Sequence, residues 1–172
     1  MKKEYSPEDL KRYFIQDKFA RHAGIEIVDV GEGSARVKMD VKAHHLNGVG
    51  LVHGGAIFTL ADLAGAVAAN SRGNVSVGVS CTISYIKPVS GKTVYAEARE
   101  ASLSRRIGTY IVNVTDEAGE VVAIFQGTAY RKDDDLSYFE KNESSQETGF
   151  SRPKKRAGGP RPLRVAGDQN RV

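Results

Sequence analysis

The stretch Gly54-Gly55-Ala56-Ile57-Phe58-Thr59-Leu60-Ala61-Asp62-Leu63-Ala64-Gly65-Ala66-Val67-Ala68-Ala69-Asn70-Ser71 is the most helix-like in the chain. Alanine and leucine dominate and no proline interrupts it. Ile57, Leu60, Ala61, Ala64, Val67 and Ala68 form an apolar stripe at helical spacing, while the opposite side is small rather than charged (Gly65, Ala66, Ala69). A helix with no charged face is expected to be buried nearly all round. Asp62 is its only charge.

The flanking segments say what buries it. Ser6-Pro7-Glu8-Asp9 has a capping serine, a proline at the first helical position and acids at the positive end of the dipole, so a helix is expected from there to about Ala20. Residues 25–41 alternate on either side of Gly31-Glu32-Gly33-Ser34 and read as a hairpin. Residues 42–53 show no period and read as a loop. In residues 75–85 every odd position is apolar (Val75, Val77, Val79, Cys81, Ile83, Tyr85) and every even one small or polar, the pattern of a half-buried strand. Further strands are expected over 93–103, 107–116 and 120–131. A helix, a hairpin, a long buried helix and then a run of antiparallel strands argue for an α+β fold in which one antiparallel sheet wraps one helix, not a doubly wound sheet.

The chain has 172 residues, enough for one domain and a tail. Its single cysteine, Cys81, cannot form an internal disulfide or a cysteine-based zinc site, and a reducing cytoplasm is the expected compartment. No apolar run approaches the roughly 20 residues of a membrane helix, and the Met1-Lys2-Lys3-Glu4 start lacks the apolar core of a secretory signal. The formal charge of +4 is unevenly spread: residues 141–172 carry eight Lys/Arg against three acids, and the body is nearly neutral. A basic nucleic-acid surface over the whole protein is therefore not indicated. Residues 149–172 hold four Gly, three Pro and seven Lys/Arg, a composition that buries too little to offset ordering entropy. The expected organisation is an N-terminal helix over 1–20, one folded domain over 21–132 and a basic disordered tail over 133–172.

Chemistry concentrates in Leu46-Asn47-Gly48-Val49-Gly50-Leu51-Val52-His53-Gly54-Gly55, which leads into the helix. Gly54 and Gly55 at a helix start leave backbone N–H groups open to a ligand at the positive end of the dipole, the equipment of an oxyanion hole. Asn47 and His53 stand beside it, and Asp62 lies further along. Eight residues separate Gly54 from Asp62, about 12 Å of helix at ~1.5 Å per residue. One carbonyl cannot touch both within one chain. If both act on it, two chains must contribute, which suggests a homodimer with composite sites.

The ordered set Leu46-Asn47-Gly48, His53-Gly54-Gly55, Phe58-x-Leu60-Ala61-Asp62 and Asn70-Ser71, followed by Cys81-Thr82-Ile83 and Lys87-Pro88, resembles the hotdog-fold acyl-CoA thioesterases, above all the phenylacetate-degradation branch. The match runs over roughly residues 10–131. The resemblance implies a long central helix wrapped by a curved antiparallel β-sheet, and dimers paired into tetramers. It implies that Gly54, with Gly55 beside it, polarises a thioester carbonyl, that Asp62 from the other subunit is base or nucleophile, that Asn47 orients water or substrate, and that His53 holds the loop and the thioester. Ser80 occupies the place of a water-positioning residue in one branch, and Ala66 stands where another branch has threonine. Acyl-group size is expected to depend on Phe58, Tyr85, Ile86 and the partner subunit, and aromatic acyl groups are the first expectation. Lys87, Arg105 and Arg106 are candidates for the phosphates of coenzyme A.

Each reading has a plainer rival. Asp62 could be a structural acid held by hydrogen bonds, although a lone acid in an apolar helix is costly without a partner or a function. His53 could be only a cap, Gly54-Gly55 a turn, Ser80 a filler, and the three basic residues solvated loop. His44, His45 and His53 lack an acid or thiolate to complete a metal set, so no metal or other cofactor is expected. Cys81 runs with the valines of its strand and is expected in the core. The tail could touch nucleic acid or an anionic membrane; a passive tail is preferred. The rival to an acyl-CoA thioesterase is a non-catalytic acyl-CoA-binding module, and the retention of Asn47, His53 and Asp62 together favours the enzyme. A hydratase would need an Asp/His pair in a different motif, which is not found.

Overall fold

Ser6 opens helix α1 (Pro7–Phe14) as its sequence requires: its hydroxyl accepts from the Asp9 N–H at 3.1 Å and Asp9 returns the bond to the Ser6 N–H. In the computed structural model, which describes residues 5–136, α1 does not continue to Ala20. Asp17 starts a second short helix, α2 (Lys18–His22), its carboxylate accepting from the Phe19 and Ala20 N–H groups at 3.0 and 2.9 Å. A new N-cap thus splits what the apolar spacing alone joined.

Strands β1 (Ile25–Gly31) and β2 (Ser34–Asp40) form the expected hairpin, turning at Gly33 with φ +68°. After the loop comes the long helix α3 (Gly54–Asn70), then β3 (Asn74–Tyr85), β4 (Thr93–Leu103), β5 (Ile107–Thr115) and β6 (Val121–Asp135). The six strands make one antiparallel sheet in the order β1-β2-β4-β5-β6-β3. It packs around α3, which touches every strand. β6 extends to Asp135, beyond the expected strand end at 131, and Leu136 is buried behind it with its N–H on the Gly73 carbonyl at 3.2 Å. Asp133-Asp134-Asp135, read as the start of the tail, therefore finish a strand; the rest of the expected tail, from 137 on, lies outside the described residues.

The core lies between α3 and the concave face of the sheet. Leu60, Ala61, Ala64 and Val67 meet Val37 and Met39 of β2, Val94 and Ala96 of β4, and Val112 and Val114 of β5, all essentially inaccessible to solvent. Full burial of the Leu, Val and Met side chains in this set stabilises by about 1.5–3 kcal/mol each. The C-terminal end of α3 is welded to the sheet by polar contacts. Buried Asn70 donates to the Ala66 and Ser76 carbonyls and accepts from the Ser76 N–H, and Ser71 Oγ accepts from the Gly33 N–H at 2.7 Å.

Two expectations fail at β3. The helix is not buried all round: Asp62 is exposed and Gly65 and Ala66 are half-buried, and all three line a cavity whose other wall includes β3. Cys81 is exposed, not core. β3 is an edge strand whose only neighbour in the sheet is β6, and a register shift between Gly78 and Ser80 interrupts its alternation. From Val77 to Tyr85 every residue except half-buried Ile83 is exposed. No helix among the described residues is long and apolar enough to cross a membrane.

Candidate active site

The loop before α3 is built by its polar side chains. His45 is buried, accepts from the Lys42 N–H at Nδ1 (3.0 Å) and donates from Nε2 to the Ala23 carbonyl (2.9 Å). Burial, then the nearby His44, lowers its pKa and keeps it neutral. Its own carbonyl accepts from the His53 N–H at 2.7 Å. Both ring nitrogens are thus committed, so this histidine is a loop anchor and not a ligand in waiting. Asn47 folds the tip of the loop: its Oδ1 accepts from the Val49 and Leu51 N–H groups, each at 3.0 Å. Only its amide Nδ2 is left to face a substrate, as a donor.

At the helix start, His53 is the N-cap, and its Nδ1 accepts from the Gly55 N–H at 2.8 Å. That bond fixes the proton on Nε2 and consumes the Gly55 donor. The Ala56 and Ile57 N–H groups bond to the His53 carbonyl. Of the two glycines read as open donors, Gly54 has no acceptor for its N–H among the described residues, and Gly55 has one. Neither glycine has a positive φ. They are small for a different reason: a Cβ on Gly54 would meet the Tyr85 ring at 3.1 Å, and one on Gly55 would meet His53 Nδ1 at 3.0 Å. Tyr85 donates its hydroxyl to the Gly54 carbonyl at 2.9 Å. A cavity of about 430 Å³ opens here, lined by Asn47, Leu51, Gly54, Tyr85, Ile86 and Lys87 among others.

Asp62 opens elsewhere. It lines a cavity of about 400 Å³ between α3 and the sheet, with Gly65, Ala66, Gly78, Ser80, Cys81, Tyr110 and Phe125. Among the described residues no hydrogen bond or ion pair engages its carboxylate. The apolar walls desolvate it and raise its pKa, and the like charge of Asp17 on the N-cap of α2 adds to the rise. The sequence reading missed Asp17 because it ran one helix through that point. Phe58, read as a pocket residue, packs edge-on against Phe125 with centroids 5.6 Å apart, one layer behind this cavity.

The three basic candidates do not gather in one chain. Lys87 pairs with Glu120 at 3.0 Å near the N-terminal end of α3. Arg105 and Arg106 sit on the β4–β5 turn at the opposite end of the sheet, where Arg106 pairs with Asp133 at 2.6 Å and lies over the Tyr130 ring.

Comparison with known proteins agrees with this architecture. The family model of the thioesterase superfamily matches residues 49–123, from the loop before α3 to the start of β6. The chain is 38% identical over 137 residues to a putative esterase of Archaeoglobus fulgidus, covering 78% of this chain and 89% of that protein. It is 38% identical over 119 residues to the acyl-coenzyme A thioesterase PaaI of Escherichia coli, covering 69% of this chain and 85% of the relative. The solved structure of E. coli PaaI superposes with a TM-score of 0.69 over 72% of this chain and 91% of that one, at 34% identity. The smu.793 protein of Streptococcus mutans, solved bound to acetyl-CoA, superposes with a TM-score of 0.59 at 29% identity, over 63% of this chain and 88% of that one.

Proposed function

Because the chain belongs to the hotdog-fold, PaaI-type thioesterases of the thioesterase superfamily and is a thioester hydrolase, we propose that it hydrolyses an acyl- or arylacetyl-CoA at a site shared by two subunits. The observation that carries the shared site is the separation of its halves. The free Gly54 N–H and the unpartnered Asp62 carboxylate stand on one helix but open into different cavities. A partner with its helix antiparallel to this one brings the Asp62 of one chain to the Gly54 of the other. The exposed edge strand β3, carrying Val77, Val79 and Tyr85, offers the surface for that pairing. A further pairing of two dimers is the expected assembly.

In this reading the thioester carbonyl oxygen accepts from the Gly54 N–H at the positive end of α3, which stabilises the charge that develops as the carbonyl carbon is attacked. Asn47 Nδ2 and His53 Nε2 are the donors left over for the thioester or the water. Asp62 takes the proton of an attacking water, or attacks the carbonyl carbon itself to give an anhydride that water then opens. Its raised pKa makes it a stronger base than an ordinary carboxylate. Ser80, on the same cavity wall, positions the water. The tetrahedral intermediate collapses with release of the coenzyme A thiolate. The acyl group occupies the Asp62 cavity, whose small residues and Phe125 suit an aryl ring, and Lys87 is the basic residue placed to meet the coenzyme arm. Lone cysteine content favours a cytoplasmic enzyme.

The test is thiol release from a panel of acyl-CoAs (phenylacetyl, hydroxyphenylacetyl, benzoyl, short and long fatty acyl) by wild type and Asp62→Asn in parallel. Hydrolysis that disappears with Asp62 supports the site. Undiminished turnover by the variant overturns the role of Asp62.

A further inference from the structure

We propose that Tyr85 is a positioning residue for hydrolysis, acting through the Gly54–Gly55 peptide and not through contact with the acyl group. This rests on the reading of Gly54 as the donor to the thioester carbonyl. The peptide between Gly54 and Gly55 is held at both ends. Its carbonyl accepts from the Tyr85 hydroxyl at 2.9 Å, and its N–H donates to His53 Nδ1 at 2.8 Å. The three groups form one continuous relay, phenol to peptide to imidazole. Each bond in such a relay polarises the next, and holding the plane of this peptide restrains ψ of Gly54. The His53–Gly55 bond closes a ring that contains the His53–Gly54 peptide, and the Gly54 N–H belongs to that peptide, so the clamp that holds Gly55 also restrains the direction of the free donor.

The glycines themselves point to this clamp. With negative φ, neither needs to be glycine for its backbone conformation. Each is glycine at the spot where a Cβ would press on one jaw: the Tyr85 ring at 3.1 Å from position 54, and His53 Nδ1 at 3.0 Å from position 55. The pair therefore makes room for two side chains that grip a peptide, which is a different purpose from leaving two N–H groups bare. Only one N–H remains free, and it belongs to the residue both jaws orient. Tyr85 comes from the far end of β3, so the strand at the sheet edge and the start of the central helix are registered to each other through this contact.

The test is Tyr85→Phe, which keeps the ring and removes the hydroxyl of a half-exposed side chain. Steady-state hydrolysis of acetyl-CoA and phenylacetyl-CoA is measured beside wild type and Asp62→Asn. A positioning role predicts that kcat falls about tenfold for both thioesters while KM stays within about twofold, since the lost interaction orients a donor used in the transition state. An unchanged kcat, or a raised KM at constant kcat, overturns it; the second result would make Tyr85 a substrate-binding residue, as read from the sequence. Wild-type turnover in Asp62→Asn would overturn the site and the positioning role with it. An inactive Asp62→Asn beside a fully active Tyr85→Phe overturns the positioning role alone. The double variant His53→Ala/Tyr85→Phe supplies a second readout that cancels general loss of structure. If both side chains act on one peptide, the double variant loses little more than the worse single variant; losses that multiply would overturn the shared clamp.

Discussion

Asp62 and Gly54 lie on one continuous helix, eight residues apart, and each lines a cavity the other does not reach. A rigid helix cannot bring them closer, so subunit mixing is the direct test of how they cooperate. Gly54→Pro removes the free N–H while suiting the first helical position; because any side chain there also meets the Tyr85 ring at 3.1 Å, Gly54→Ala, which keeps the N–H, is the control for that contact. Gly54→Pro and Asp62→Ala are each expected to reduce turnover by about 10²–10³-fold. Refolded together from an equal mixture, they are expected to regain about a quarter of wild-type activity, because half of the dimers are mixed and each holds one intact site. Mixtures as inactive as the parents, with subunit exchange verified by mass, would show that each site lies within one chain.

The titration of Asp62 gives a second prediction. Although Asp62 is open to solvent, the cavity walls partly desolvate its carboxylate and, with Asp17, raise its pKa above the ordinary 3.8, so the acid limb of kcat/KM should lie above that value and move down in Asp17→Asn. The same shift bears on stability. A raised carboxyl pKa means the folded state holds the proton more tightly than the unfolded chain, so stability from this group is complete below the unfolded value and is lost as pH rises through the folded one. Asp62→Asn should therefore melt higher than wild type at pH 7–8, with the gap closing towards pH 4. A variant that melts lower at neutral pH would mean the carboxylate is a structural anchor.

His45 supplies a third. It joins the Lys42 N–H, the Ala23 carbonyl and, through its backbone, the His53 N–H. His45→Ala keeps the backbone bond to His53 but takes the ring partner from the part-buried Lys42 N–H and Ala23 carbonyl, and should cost about 1 kcal/mol in urea unfolding. Its pKa is lowered in the fold, so the unfolded chain binds the proton first. The stability it provides is present above the unfolded value near 6.5 and is lost as pH falls through the folded one. The pH dependence of the unfolding midpoint below 6.5 should flatten in His45→Asn.

How far the sequence could be read follows from the range of the forces involved. Helix α3, the hairpin and the strands were legible because apolar period and turn residues are local, and Asn47, His53, Gly54 and Asp62 stood out against an apolar background. What was not legible depended on pairing across the fold. The bulge in β3 and its place at the sheet edge put Cys81 in solvent, though its neighbours alternate like a core strand. Asp17 ended one helix and began another with no glycine or proline to announce it. The capture of the Gly55 N–H by His53 is a side-chain geometry that the dipeptide Gly54-Gly55 does not reveal.

The cavity beside Asp62 gives the last prediction. Gly78 lines it, has no positive φ, and a Cβ built there meets nothing within 4 Å. Gly78→Ala therefore removes unfolded-chain entropy without strain and should stabilise by about 0.4–1 kcal/mol. The added methyl projects into space that the proposed acyl group needs. Stability and turnover should part: the melting temperature rises, while kcat/KM for phenylacetyl-CoA falls relative to acetyl-CoA. One methylene of hydrophobic fit is worth about 1–3 kcal/mol, so the ratio should change by about tenfold or more. A bulkier Gly78→Val should extend the same trend. If both variants are more stable and the ratio does not move, the acyl group lies outside this cavity and Asp62 reaches the thioester from its rim. If the ratio moves but stability falls, the open space beside Gly78 is filled by the partner subunit in the assembled enzyme, and the specificity wall belongs to both chains.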